Sequence, residues 1–294
     1  MGADRQTERH AAYSARRSSR RGRASWWDRL RWLRLLAAGY LSILVLIMFL
    51  EESLIYIPVR YDDDWQQPSG LLVEEAWFEA DDGTRLHGWY VPHEDPRATI
   101  LFAHGNAGNL SHRADLLQIL HDRVGASVLI FDYRGYGRSE GKPNEKGVLM
   151  DGRAARRWLA EREKIPQTDI VLLGRSLGAA VAVDLAASDG ARALVLEGAF
   201  SSAPDLGAHL YPWLPVRWLM RTRLDSASKI GRYRGPLLMA HGDADTIVPT
   251  RFGRKLYEAA NEPKRWITFP RLNHNDPQPP WYWGELAAFL EGLD

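Results

Sequence analysis

The five residues Gly174-Arg175-Ser176-Leu177-Gly178 are bounded by segments that leave them little conformational choice. Residues 169–173 before them read as a short buried strand, and the Ala- and Val-rich residues 179–187 after them read as a helix. A strand that becomes a helix over so few residues turns sharply, and a serine at the tip is held in a strained backbone conformation. The residues two before and two after it must be tiny, because strand and helix nearly touch there. Ser176 is therefore a candidate nucleophile.

The five-residue pattern alone does not select it. Gly137-Arg138-Ser139-Glu140-Gly141 also reads G-x-S-x-G. Ser139 lies well past the strand-like residues 127–131 and is followed by Lys142-Pro143-Asn144, which favours a turn over a helix. No strand–serine–helix junction is expected there, so Ser139 is not the expected nucleophile.

The N-terminal part obeys different rules. Residues 35–50 carry no charge. At about 1.5 Å per residue such a helix spans roughly 24 Å, short of a hydrocarbon core of about 30 Å. Trp32 and Leu33 extend it if Arg34 snorkels to the headgroups, and Trp26, Trp27, Trp32 and Tyr56 are placed as interfacial anchors. A cleaved signal peptide is disfavoured by the long arginine-rich leader and by the lack of an A-x-A-like site after the apolar run. Ten of the 38 basic residues, all arginine, fall in residues 1–34 with only three of the 37 acids, which leaves 28 bases against 34 acids. The positive-inside rule then keeps the N-terminus in the cytoplasm and exports the rest, in a bacterium to the periplasmic side of the inner membrane. The mildly acidic remainder argues against nucleic acid as a partner. Without cysteine, disulfides, thiolate chemistry and cysteine-based metal sites are excluded.

The expected organisation is a basic, disordered tail over 1–31, an anchor over 32–57, a linker over 58–70 and a globular domain over 71–294. The acidic triplet Asp62-Asp63-Asp64 is read as a solvated turn. Residues 73–79 and 85–90 flank Asp81-Asp82-Gly83, a hairpin signal. Residues 99–103, 127–131, 170–173, 193–196, 237–240 and 266–269 are short apolar runs of the kind found in buried parallel strands. Helical segments are expected at 113–123, 145–161, 177–187, 252–260 and 283–290. This pattern predicts an eight-stranded, mostly parallel α/β sheet. Residues 198–235 break the rhythm, and their prolines forbid one long helix. They are read as a lid insertion, with Leu210, Trp213, Leu214 and Trp218 as candidate substrate contacts.

A serine hydroxyl is a poor nucleophile until a base takes its proton. His274 follows the last strand-like run and lies downstream of both Ser176 and an acid, which makes it the candidate base. Two aspartates, Asp243 and Asp245, follow the strand-like run 237–240, and spacing alone favours neither. Loops at strand C-terminal ends are where open α/β sheets place their sites. An oxyanion hole needs two backbone N–H groups. Leu177 supplies one, at a helix N-terminus, and Asn106 in the small, turn-rich loop His104-Gly105-Asn106-Ala107-Gly108-Asn109 supplies the other. That loop lacks G-K-[ST], which argues against a nucleotide.

In order along the chain, Glu52-Ser53-Leu54-Ile55-Tyr56, the His104–Asn109 loop, Asp132-Tyr133-Arg134-Gly135-Tyr136-Gly137-Arg138-Ser139, the Ser176 junction, His241-Gly242-x-x-Asp245-x-x-Val248-Pro249 and His274-Asn275-Asp276 resemble the α/β-hydrolase superfamily. The likeness is to its membrane-anchored serine hydrolases of bacteria and eukaryotes, and it covers residue 51 to the C-terminus. The resemblance implies Asp245 rather than Asp243 as the acid. It also implies hydrolysis of esters or thioesters, with acyl or lipid substrates, no cofactor and no metal. A peptidase or lyase on the same scaffold, or a catalytically idle membrane-tethered binding module, are the alternatives.

Overall fold

The computed structural model describes residues 26–61 and 65–293. The basic tail up to residue 25, the acidic triplet Asp62-Asp63-Asp64 and Asp294 lie outside the described residues. The chain divides into two compact units, Met1–Leu50 and the unit that begins at Glu51.

Helix α1 runs Trp26–Ile55, starting well before the expected anchor. Residues 26–34 are polar and aromatic in mixture but contain no proline or glycine, so nothing interrupts the helix ahead of its apolar run. The helix is long and apolar enough to cross a membrane by length and composition. Tyr56, just past its end, is not an interfacial residue. It is buried in the core of the second unit, because the chain turns inward there instead of running along a helix surface.

The second unit is built on strands β1 (Ile57–Pro58), β2 (Glu74–Glu79), β3 (Arg85–Val91), β4 (Ala98–Ala103), β5 (Ala107–Gly108), β6 (Ala126–Phe131), β7 (Val171–Arg175), β8 (Ala193–Glu197), β9 (Leu237–Gly242) and β10 (Lys264–Phe269). Eight of these form one sheet in the order β10-β9-β8-β7-β4-β6-β3-β2, and β1 pairs with β5 in a separate parallel ladder. The large sheet is mixed, where a mostly parallel one was expected. From β10 to β6 the neighbours are parallel, but β3 is antiparallel to both β6 and β2. The reversal comes from the tight turn around Gly83, which sends β3 back along β2.

The sequence alternation sorts these strands between two cores. Leu101, Leu129, Leu172, Leu194 and Met239 face one core, and Ile100, Phe102, Val128, Ile130, Val171 and Leu173 face the other. Because both faces are covered, the central strands read as continuous apolar runs. Helices α3 (Glu145–Glu163) and α4 (Leu177–Asp189) contribute Val148, Leu159, Val181 and Leu185 to the first core. Helix α4 is buried nearly throughout, which explains why its sequence is apolar all round. Helix α2 (Ala114–Ile119) lies between a 3₁₀ turn and a π turn, so the stretch expected as one helix is three local geometries that end at left-handed Gly125. Residues 198–235 hold three short helices, α5 (Ala203–Leu210), α6 (Val216–Leu219) and α7 (Ser226–Ile230). Helices α8 (Thr250–Ala259) and α9 (Tyr282–Glu291) complete the unit.

Candidate active site

Four loops leave the C-terminal ends of β4, β7, β9 and β10, parallel strands of one sheet, and so emerge at one edge of it. They carry Asn106, Ser176, Asp245 and His274.

Ser176 lies between β7 and α4 with φ 53° and ψ −111°, a left-handed conformation that costs a non-glycine residue about 1–3 kcal/mol. Backbone hydrogen bonds hold it there. Its N–H donates to Glu197 O at 2.9 Å, and its carbonyl accepts from Ala179 N at 3.0 Å. The flanking glycines are required by close approach. A Cβ at Gly178 would collide with the Ala103 carbonyl, and one at Gly174 would lie 2.7 Å from Ala179 Cα.

His274 Nε2 is 3.0 Å from Ser176 Oγ, and His274 Nδ1 is 2.7 Å from Asp245 Oδ2. An ionised carboxylate only accepts, so Nδ1–H donates to Asp245 and Nε2 is left to accept the serine proton. The other Asp245 oxygen accepts from Ile247 N at 3.0 Å and Val248 N at 2.7 Å. Burial alone would raise this carboxyl. Hydrogen bonds from His241, His274 and the Val248 amide outweigh it and hold Asp245 well below the usual carboxylate range. Asp243 points elsewhere and accepts from Arg271 N at 2.5 Å. His241 Nε2 lies 2.8 Å from Val248 O and 3.3 Å from Asp245 Oδ2, so this histidine braces the acid's loop.

Gly105 abuts the serine, since a Cβ added to it would sit 3.8 Å from Ser176 Cβ. His104 Nδ1 contacts Gly105 O at 2.7 Å. In a trans peptide the carbonyl and the following N–H point opposite ways, so fixing Gly105 O also fixes the direction of the Asn106 N–H. Among the described residues, neither the Asn106 nor the Leu177 amide has a protein acceptor. Two backbone donors without acceptors, on the loops that carry Gly105 and Ser176, suit an anionic oxygen.

The second serine is far from this chemistry in role. Ser139 is buried, donates to Asp132 O at 2.7 Å and accepts from His87 N at 3.0 Å. Leu210, Trp213, Leu214 and Trp218 do not line the small cavity behind His274 and Asp245, which Ser176 does not line either. That cavity, about 20 Å³ and large enough for one water, is bounded by Arg175, Glu197, His241, Asp245, His274 and Gln278. Trp218 is 90% exposed. The insertion instead turns Leu206 and Met220 to the core.

Sequence reasoning missed two supporting groups. Arg175, a variable position of the five-residue pattern, donates to the His274 carbonyl at 2.7 Å. The Asn273 side chain accepts from Thr246 N at 3.0 Å and His274 N at 2.7 Å, joining the acid's loop to the base's loop. No spacing rule marks either one. Among the described residues, no group of three or more histidine, cysteine, aspartate or glutamate side chains is arranged to hold a metal ion.

The family model for the α/β-hydrolase fold matches residues 98–219. The α/β-hydrolase domain-containing protein WAV2 of Arabidopsis thaliana is 32% identical over 84% of this chain and 89% of its own length. The chain belongs to the α/β-hydrolase superfamily. An uncharacterized Mycobacterium tuberculosis protein is 40% identical over 83% of this chain and 86% of its own. Among solved structures, the Pyrococcus furiosus esterase Pf2001 superposes with a TM-score of 0.65 at 20% identity, covering 81% of this chain and 97% of the esterase. That likeness extends the fold of this α/β-hydrolase to nearly the whole of an esterase chain. The strand–Ser176–helix junction has the backbone geometry that a nucleophile elbow takes in this fold.

Proposed function

We propose that this α/β-hydrolase is a membrane-anchored serine hydrolase that cleaves carboxylic esters or thioesters through an acyl-enzyme. The observation that carries the reading is the chain of hydrogen-bond distances Ser176–His274–Asp245, 3.0 and 2.7 Å. His274 accepts the Ser176 proton as Oγ attacks the acyl carbonyl. Asp245 holds the imidazole in the right tautomer and stabilises the imidazolium. The Asn106 and Leu177 amides receive the charge that develops on the carbonyl oxygen. His274 then protonates the leaving group, and a water activated by the same ring releases the acid. The esterase activity named for Pf2001 supports ester chemistry. The apolar helix α1 supports a single-pass anchor.

A fluorophosphonate probe tests the assignment. It should label the wild-type protein and Ser139→Ala, and leave Ser176→Ala unlabelled. Labelling that survives loss of Ser176 would overturn the reading.

A further inference from the structure

We propose that the stretch from Glu51 to Arg60, which leads out of the apolar helix, is a working part of the oxyanion site, and that the Asn106 carboxamide is the positioning group through which it acts. The proposal rests on the reading of the Asn106 amide as an oxyanion donor.

The contacts run the length of this strap. The Asn106 side chain donates from Nδ2 to Ile55 O at 2.6 Å, and its Oδ1 accepts from Ile57 N at 3.4 Å and from the Tyr136 hydroxyl at 2.8 Å. Both lone pairs and a donor of the carboxamide are thus engaged. Immediately beyond, Ile57 pairs with Ala107 and Pro58 with Gly108, and Val59 N donates to Gly108 O at 3.2 Å. Asn109 Nδ2 reaches Val59 O at 3.4 Å. Each residue of the loop from Asn106 to Asn109 is therefore held against the strap.

The strap is itself fixed from the other side. Gly137 N donates to Val59 O at 2.9 Å, Tyr61 N donates to Gly137 O at 3.0 Å, and Arg60 Nη2 donates to Gly141 O at 3.2 Å. The Tyr56 ring is buried in the core. At the helical end, the Glu51 carboxylate accepts from Arg221 N at 2.9 Å and Thr222 N at 2.7 Å, which ties the strap to the base of the 198–235 insertion. Those two amides hold Glu51 below the usual carboxylate range against its burial, so the clasp stays charged.

Two opposing residues make a ladder far too short to persist alone. The eight-stranded sheet is complete without it, and Ser176, Asp245 and His274 take no hydrogen bond from it. What the strap touches is the loop that carries the Asn106 N–H. One end of that loop is set by His104 on Gly105 O, and the strap sets the other. A donor aimed at a transition-state oxygen loses its effect when it rotates, although it is still present.

The test uses the full-length chain in detergent with p-nitrophenyl esters. Asn106→Ala keeps the backbone N–H and removes the carboxamide that holds it to Ile55, Ile57 and Tyr136. Tyr136→Phe removes one hydroxyl and keeps the ring. Loss of a whole oxyanion donor costs about 10²–10³ in kcat, so a misaimed one should cost Asn106→Ala tenfold or more and Tyr136→Phe about threefold. KM should stay within about twofold, and thermal unfolding should show both variants folded. The proposal is overturned if kcat of both variants stays within twofold of wild type, or if activity falls only in step with the folded fraction. A wild-type protein that neither turns over esters nor reacts with the fluorophosphonate brings down the hydrolase reading and this proposal with it. An active wild type with equally active variants brings down the strap alone.

Discussion

Replacing Asp245 by asparagine should remove nearly all activity and leave the fold in place, for a reason that lies in the acid's other oxygen. Asp245 Oδ1 is held by two backbone donors, Ile247 N at 3.0 Å and Val248 N at 2.7 Å. An asparagine at 245 satisfies both only if its carbonyl oxygen takes that place. Its NH₂ must then occupy the Oδ2 position, 2.7 Å from His274 Nδ1. An NH₂ donates, so Nδ1 must accept, and the neutral ring carries its proton on Nε2. That proton faces Ser176 Oγ at 3.0 Å, where the base needs a lone pair. A wrong tautomer of this kind costs about 10⁴ in kcat, or about 5.4 kcal/mol of transition-state stabilisation. Stability should fall far less, because the two backbone bonds remain. A loss of about 1–2 kcal/mol lowers the melting temperature by about 2–8 °C. The assay is steady-state hydrolysis of a p-nitrophenyl ester by wild type and Asp245→Asn, with a melting curve on each. An Asn variant within tenfold of wild type in kcat would refute the tautomer argument. So would a variant whose activity loss matches its unfolded fraction.

Two further outcomes concern other parts of the chain. His87 is buried between the Trp65 and Trp77 rings, and burial lowers its pKa from 6.5 despite the raising effects of Glu75 and Asp132. The folded ring is neutral and the unfolded one takes up a proton more readily, so stability is full above about pH 6.5 and declines as the pH falls below it. Melting temperatures from pH 7.5 to 5 should drop more steeply for wild type than for His87→Gln, and equal slopes would remove His87 as the cause. A reporter active only outside the cytoplasm, fused after the last residue, should be active in the full-length fusion. Activity of a cytoplasm-only reporter at that position would reverse the proposed orientation.

How much of this could be read in advance depends on how many residues enforce each feature. All eight strands of the main sheet lie on the runs that alternation and apolar content marked, because each is buried on at least one face and the core selects its residues. The elbow was legible for a similar reason: Gly174 and Gly178 are where strand and helix backbones meet. The choice between Asp243 and Asp245 was not open to spacing. It turns on which carboxylate the loop aims at His274, and a loop's direction leaves no periodic trace. The same holds for Arg175 and Asn273, whose partners are backbone groups on distant segments. Tyr56 was misread because an aromatic residue after an apolar run looks alike in a membrane interface and in a domain core. The lid side chains were chosen for their apolarity, which by itself does not say what they contact; Trp218 is exposed.

The two halves of the site therefore have different physical origins. Ser176, Asp245 and His274 sit on loops from β7, β9 and β10, so the packed sheet sets their spacing. Perturbing it means disturbing cores that hold most of the buried apolar area. The Asn106 loop leaves β4 in the same sheet, but the Asn106 carboxamide is joined to the strap and the Tyr136 hydroxyl by single hydrogen bonds. Each such bond contributes only about 0.5–1.5 kcal/mol, little enough to be lost without unfolding the domain. The arrangement of Ser176, Asp245 and His274 is thus as robust as the fold. The proposed oxyanion donor is only as robust as a short ladder, and that ladder is made by the very residues that connect the domain to its apolar helix. A boundary drawn at Leu71, where composition first looks like a domain, would retain the first half of the site and discard the support of the second.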